Sequence, residues 1–261
     1  MSRFTMLHYL HVAQYVGFFG AQTTNTILFI LICKRAKKSF GNYRYVMGVY
    51  TLYCLLYAWI EIIAQPVFHI QYPMGITCLT GPIHFNRFIG DIVAATYCAS
   101  FGLCVYLLGA QFYYRYVVVC KPFETASLNG YKLLRLFAPA LTCFIVWMSF
   151  IRFSMTTTAD KSAHFKASLM EYYGIDSYNV SSISYSYYDI DQFGNTTIRI
   201  RDFFSLCGVS LLVWSCIIFI VYCAISIHRK LHSLNNTMSM INMDLNKQVM
   251  FTLILQVCHY H

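Results

Sequence analysis

Three ionisable side chains stand inside long apolar runs or at their edges: Glu61 in LLYAWIEIIAQPVFH, Asp91 in RFIGDIVAAT and Arg115 in QFYYRYVVVCKP. Charge within hydrocarbon is costly, so such residues face a bundle interior or a cavity. Glu61 can either contact a ligand or hydrogen-bond a hydroxyl or amide of a neighbouring helix. Asp91 can contact a ligand, stay hydrated near the interface, or pair with Arg87 one turn earlier. From Asp91 to Arg115 is 24 residues, about 36 Å of helix and close to a full membrane crossing. Arg115 therefore stands at the opposite interface, where its guanidinium can snorkel to water and phosphates. Chemistry of turnover is missing from the pattern. No Gly-rich phosphate loop, serine elbow or paired intramembrane carboxylates stand out, so an enzyme is disfavoured. His228 and His232 in HRKLH have helical spacing, but no glutamate follows the first histidine and the context is a basic face, so no metal is expected. No cofactor is expected either.

The elements that must position these residues follow from composition. The chain has 261 residues, 58% hydrophobic, 18% aromatic and only 11% charged, whereas roughly a quarter of an average soluble domain is charged. Runs of about 20 apolar residues cross a bilayer as helices. Five such runs lie near 11–33, 45–68, 88–114, 136–155 and 203–227, and another begins at 249. The expected fold is all-α: a polytopic membrane helix bundle with five full spans and a partial sixth.

Charge sets the orientation. Lys34, Arg35, Lys37, Lys38 and Arg44 follow the first span, while Arg3 alone precedes it, so the positive-inside bias puts the N-terminus outside. Arg115, Lys121, Lys132 and Arg135 fall in the next inner segment, whereas 67–87 carries Arg87 alone. The net charge of +9 is thus mostly a cytoplasmic-face property. It suits anionic lipid headgroups or an intracellular partner, and not nucleic acid. The first span is too long for a cleaved signal peptide and reads as a retained anchor.

The long outer loop, 156–202, contains the sequons at Asn179 and Asn195, both expected to be glycosylated. A third sequon at Asn235 falls on the inner side and should stay unmodified. Ile183, Tyr185 and Tyr187 alternate with serines before Gly194-Asn195, which suits a short hairpin or an irregular polar loop. That loop has no cysteine, so Cys207 is the remaining candidate partner for Cys78.

Several ordered blocks resemble one family. YRY at 114–116 followed by VVVCKP resembles the end of the third helix in nematode serpentine chemoreceptors of the Str class. FGNYRYVM at 40–47 looks like that family's first inner loop entering its second helix, and Pro66 with His69 looks like that helix's outer end. YYGIDSYNVSSISYSYYDIDQFGNTT resembles its second outer loop, and LNKQVMFTLILQ at 245–256 the start of its sixth helix. The resemblance implies a single receptor domain over 1–261 and a seven-helix, G-protein-coupled, chemosensory function. It implies small, largely apolar odorants or other chemical cues under the outer loop, with Glu61 and Asp91 as polar contacts. It also implies coupling to a heterotrimeric G protein through Arg115, Tyr116, Lys121, Lys132 and Arg135. The location implied is the plasma membrane of the sensory cilium of chemosensory neurons.

Two departures matter. Rhodopsin-like receptors place an acid before this arginine, and here the position is Tyr114, so a restraint on Arg115 must come from elsewhere, such as Gln111 or Asp244. The run from 249 ends after 13 residues, too short to cross. A fragment, a misjoined gene model or a truncated receptor without signalling output are the alternatives this raises. The 261-residue product alone is expected to give no ligand-dependent signal, and a version extended by two full helices is expected to give one. A transporter or channel is the further alternative, but no repeated half or pair of broken helices supports it.

Overall fold

A computed structural model of the chain describes residues 3–39, 41–83, 85–190 and 196–233, apart from the side chains of 3–5, 35–39, 87, 189 and 190. Asn195, Asn235, Asp244, the partial sixth span and the side chain proposed to pair Arg87 with Asp91 lie outside these described residues. Six α-helices run α1 (Arg3–Ser39), α2 (Tyr43–Ala64), α3 (Arg87–Cys120), α4 (Ala138–Ser154), α5 (Ala159–Tyr172) and α6 (Ile200–Ser233). Five strands accompany them: β1 (Pro66–Gln71), β2 (Met74–Leu79), β3 (Ser182–Ser186), β4 (Tyr188–Ile190) and β5 (Thr196–Ile198). Five helical segments are long and apolar enough to cross a membrane: Met6–Lys34, Tyr43–Ala64, Phe88–Cys120, Gly130–Ser154 and Ile200–Ser233. They correspond to the five runs read from hydropathy, with α5 as an additional helix in the long loop.

Helix α3 is the axis of the bundle, packed against α2, α4 and α6. Its N-terminus is capped by Asn86, whose side chain accepts from the Ile89 amide at 2.9 Å, satisfying a donor that the first turn leaves orphaned. Small residues let its neighbours approach. Ala94, Ala95 and Ala99 are fully buried, and a Cβ at Gly102 would overlap the Trp147 ring of α4. In lipid, where water gives no hydrophobic drive between helices, such close packing is a main source of association. Tyr50, Cys54, Leu103, Leu107, Phe112, Cys216 and Ile220 fill the interior between α2, α3 and α6.

The boundaries correct the sequence reading at one element. The second span was expected to run to 68, but α2 stops at Ala64, where Gln65 takes a left-handed conformation at φ 39°. Pro66 to Gln71, including His69, is a strand and not a helix end. The physical reason is visible in the register: β1 pairs antiparallel with β2 from Pro66↔Leu79 to Gln71↔Met74, and β2 pairs with β3 from Met74↔Ser186 to Cys78↔Ser182. A three-stranded sheet thus caps one end of an otherwise helical bundle. The long loop also contains a hairpin, but it is formed by β4 and β5, while Ile183 and Tyr185 belong to the sheet. Helix α5 lies under that sheet, with Phe165 and Leu169 packed on Val67, Ile76 and Cys78. Burial pushes the Cys78 thiol up to about 12. Cys78 and Cys207 are both free, so the pairing weighed from cysteine positions is not formed.

Candidate functional site

Two places bring polar side chains together within the bundle. The first is a cavity of about 1010 Å³ between α1, α2, α3 and α4, toward the sheet-bearing end. Glu61 projects into it among Tyr57, Tyr97, Phe68, Phe101 and Trp147. The Tyr57 and Tyr97 rings are stacked 6.2 Å apart at 15°, and Phe68 reaches over from β1 to within 6.5 Å of Tyr97. A mostly apolar, aromatic chamber with one convergent acid is what a small-molecule site requires, and pockets of about 300–1,000 Å³ are usual. Asp91 is half-buried at the start of α3 and is not among the lining residues.

The second place is the opposite end of α3. The Arg115 guanidinium does not simply run outward to the interface. Its carbon lies 3.8 Å from the centre of the Tyr43 ring at the start of α2, a cation–π contact. Tyr43 is 2% exposed, is stacked on Tyr114 at 5.5 Å, and donates from its hydroxyl to Gln111 Oε1 at 3.3 Å. Tyr114, standing where an acid is usual, therefore acts through an aromatic stack, and Gln111 acts through Tyr43. Asn42, next in the chain, donates to Asn129 Oδ1 at 2.8 Å and ties the start of α2 to the segment after α3.

The other residues expected to couple do not cluster with Arg115. Tyr116 lies 5.9 Å from Tyr222 of α6. Lys121 is exposed and pairs with Glu124 at 3.1 Å. Lys132 and Arg135 are exposed on the 3₁₀ turn before α4, and Arg135 borders a crevice shared with Tyr113 and Phe219. Positions 113 and 115 differ by about 200° around a helix. Arg115 accordingly addresses α2, while Tyr113 addresses α6.

A buried ion pair at the sheet-bearing end was not foreseen. Lys161 Nζ donates to Asp202 Oδ2 at 2.5 Å and to the Ser184 carbonyl at 2.9 Å, and the same carboxylate oxygen accepts from the Ser186 amide at 3.0 Å. The two side chains are 1% and 5% exposed. One carboxylate and one ammonium so join α5, β3 and the first turn of α6. The available signal was periodicity: Lys161, Phe165 and Leu169 recur every four residues and share one face of α5. Asn179 is exposed nearby, its Nδ2 donating to Asp176 Oδ2 at 2.9 Å.

Comparison with known proteins agrees with this architecture. Residues 10–259 match the family described as serpentine type 7TM GPCR chemoreceptor Str. The chain is 28% identical over 245 residues to serpentine receptor class r-10 of Caenorhabditis briggsae, covering 94% of this chain and 71% of the relative. It is 30% identical over 169 residues to serpentine receptor class r-10 of Caenorhabditis elegans, covering 63% and 49%. With G-protein coupled receptor str-33 of Caenorhabditis elegans the identity is 22% over 245 residues, covering 92% and 71%. A receptor family, with no enzyme among these relatives, a bundle of membrane-length helices and a colinear match along nearly the whole sequence lead to one assignment: the chain belongs to the Str family of nematode serpentine seven-transmembrane chemoreceptors.

Proposed function

We propose that the protein is a single-domain plasma-membrane receptor that binds small, largely apolar chemical cues in the Glu61 cavity and signals to a heterotrimeric G protein through the Arg115 end. The observation that carries this reading is the cavity itself, a chamber of about 1010 Å³ in which one carboxylate stands among aromatic rings. Apolar burial supplies affinity there, and Glu61 orients a ligand by its hydrogen-bonding group. Asp91, at the α3 terminus and outside the lining, is the second polar contact in this reading. Arg115, Tyr116, Lys121, Lys132 and Arg135 form the coupling surface, and the sensory cilium of chemosensory neurons is the site of action.

In cells carrying a G-protein reporter and the chain extended by two full helices, a panel of small odorants should include activators. Glu61→Leu should raise the effective concentration of activators bearing a hydrogen-bond donor by about tenfold or more, since a lost buried hydrogen bond is worth about 1–3 kcal/mol. Purely hydrocarbon activators should be unaffected. Responses indifferent to substitution of both Glu61 and Phe101 would remove the cavity from the reading.

The orientation belongs to the same proposal, with the sheet-bearing end outside. Asn179→Gln and Asn195→Gln should each remove one glycosidase-sensitive mass increment, and Asn235→Gln should remove none. Loss of a glycan on changing Asn235 alone would invert the topology.

A further inference from the structure

The crevice bordered by Arg135 is separate from the ligand cavity. It holds about 470 Å³ between α3, the turn entering α4, and α6, and shares no lining residue with the chamber around Glu61. Its walls are Tyr106, Tyr113, Pro139, Cys216 and Phe219. The back wall is tight because a Cβ at Gly109 would meet Cys216 Sγ at 3.1 Å. Among the described residues the side away from α3 is open: Pro139, Ser215 and Phe219 are exposed on membrane-length helices. Tyr106 lies 14 residues before the end of α3 at Cys120, about 21 Å along the axis, so the crevice reaches well into one leaflet.

Its polarity is graded. Deep in the crevice the hydroxyls are already bonded within the protein: Tyr106 donates to the Leu212 carbonyl at 3.1 Å, and Ser215 donates to the same oxygen at 2.8 Å. That wall offers hydrocarbon contact and little demand for a polar ligand. At the rim stands Arg135, exposed and without a carboxylate partner among the described residues, while Glu124 nearby in sequence is engaged with Lys121. A guanidinium matches phosphate oxygens in a bidentate fork.

We propose that this crevice is a lipid site, taking an acyl chain of an acidic phospholipid from the leaflet at the Arg115 end, with the headgroup phosphate on Arg135. Only membrane components reach an opening at that depth from the side, and the cationic rim selects among them by charge. In the proposed orientation this leaflet is the cytoplasmic one, which is rich in anionic lipid. The site shares Arg135 with the proposed coupling surface, but its test uses neither ligand nor G protein.

The full chain is reconstituted in phosphatidylcholine vesicles with a trace lipid carrying a photoreactive diazirine midway along one acyl chain, under either a phosphatidylglycerol or a phosphatidylcholine headgroup. Crosslinked peptides are then mapped. The glycerol probe should label the 106–113 and 215–219 segments about fivefold more than the choline probe, the preference expected of one basic residue at an anionic headgroup. Arg135→Gln should equalise the two probes. Ser215→Trp, which fills the crevice, should abolish labelling there by both probes, while labelling of exposed Leu52 and Leu56 on α2 stays constant and reports a folded chain. Equal labelling of the parent protein by the two probes would overturn the proposal, as would a preference kept in Arg135→Gln or labelling indifferent to Ser215→Trp. Loss of labelling on adding excess glycerol phosphate to the buffer would show recognition of a free phosphate and also overturn it.

Discussion

Replacing Lys161 by alanine should lower the stability of the receptor by about 3–5 kcal/mol, because it leaves the Asp202 carboxylate buried without its countercharge. The partners are 1% and 5% exposed, so water cannot take over the lost contact. Asp202→Ala should cost as much, stranding the ammonium instead. The pair itself need not be the source of net stability, since removing two charges from water offsets most of their attraction. The double change Lys161→Met with Asp202→Leu should therefore recover most of the loss. Surface expression and thermal unfolding in detergent check this, the single variants melting roughly 10 °C lower on the usual relation between stability and midpoint. Single variants within about 1 kcal/mol of the parent, the range of exposed pairs, would show that the contact is solvated in solution. Because the pair joins α5, β3 and α6, failure at this point should loosen the whole cap over the Glu61 cavity.

Tyr43→Leu should raise ligand-independent signalling. A cation–π contact is worth about 0.5–2 kcal/mol, and a change of one or two kcal/mol alters a two-state ratio by about 5–30-fold. For Arg115 to meet the G protein, as the proposed coupling requires, it must first leave Tyr43. Removing the ring then favours the released state without any ligand, as a shift between populations already present. Tyr43→Phe keeps the ring at 3.8 Å from the guanidinium and loses the hydroxyl's bonds to Gln111 and Arg115, so its basal signal should fall between the parent's and that of Tyr43→Leu. In the form extended by two full helices, Arg115→Ala should abolish coupling with surface expression retained, and Arg115→Lys should be partly tolerated, since lysine keeps charge but not the planar fork. The measurement is basal reporter output normalised to surface receptor. Equal output from Tyr43→Leu and the parent would show that the Tyr43 ring does not restrain Arg115, while a normal response from Arg115→Ala would remove Arg115 from coupling altogether.

What the sequence by itself determined is the part of this protein governed by solvent. Five runs of hydrocarbon length specify five crossing helices whatever packs beside them, because lipid leaves the backbone no partner but itself. Glu61 was legible as a functional candidate for the same reason, since an acid within such a run needs a special environment. The β1–β2 hairpin was missed, its first residues being read as the end of the second span, because β propensity depends on what the strand packs against, and here that is α5 and β3. Tertiary structure alone decided which aromatic holds Arg115. Tyr43 and Arg115 are 72 positions apart by number, and every tyrosine near the membrane edge is an equal candidate until α2 and α3 are packed. It also decided the fate of Lys161, which charge counting treats as one more loop cation. Burial is a property of the neighbours a side chain acquires, and Asp202 becomes one only when the sheet closes over α6.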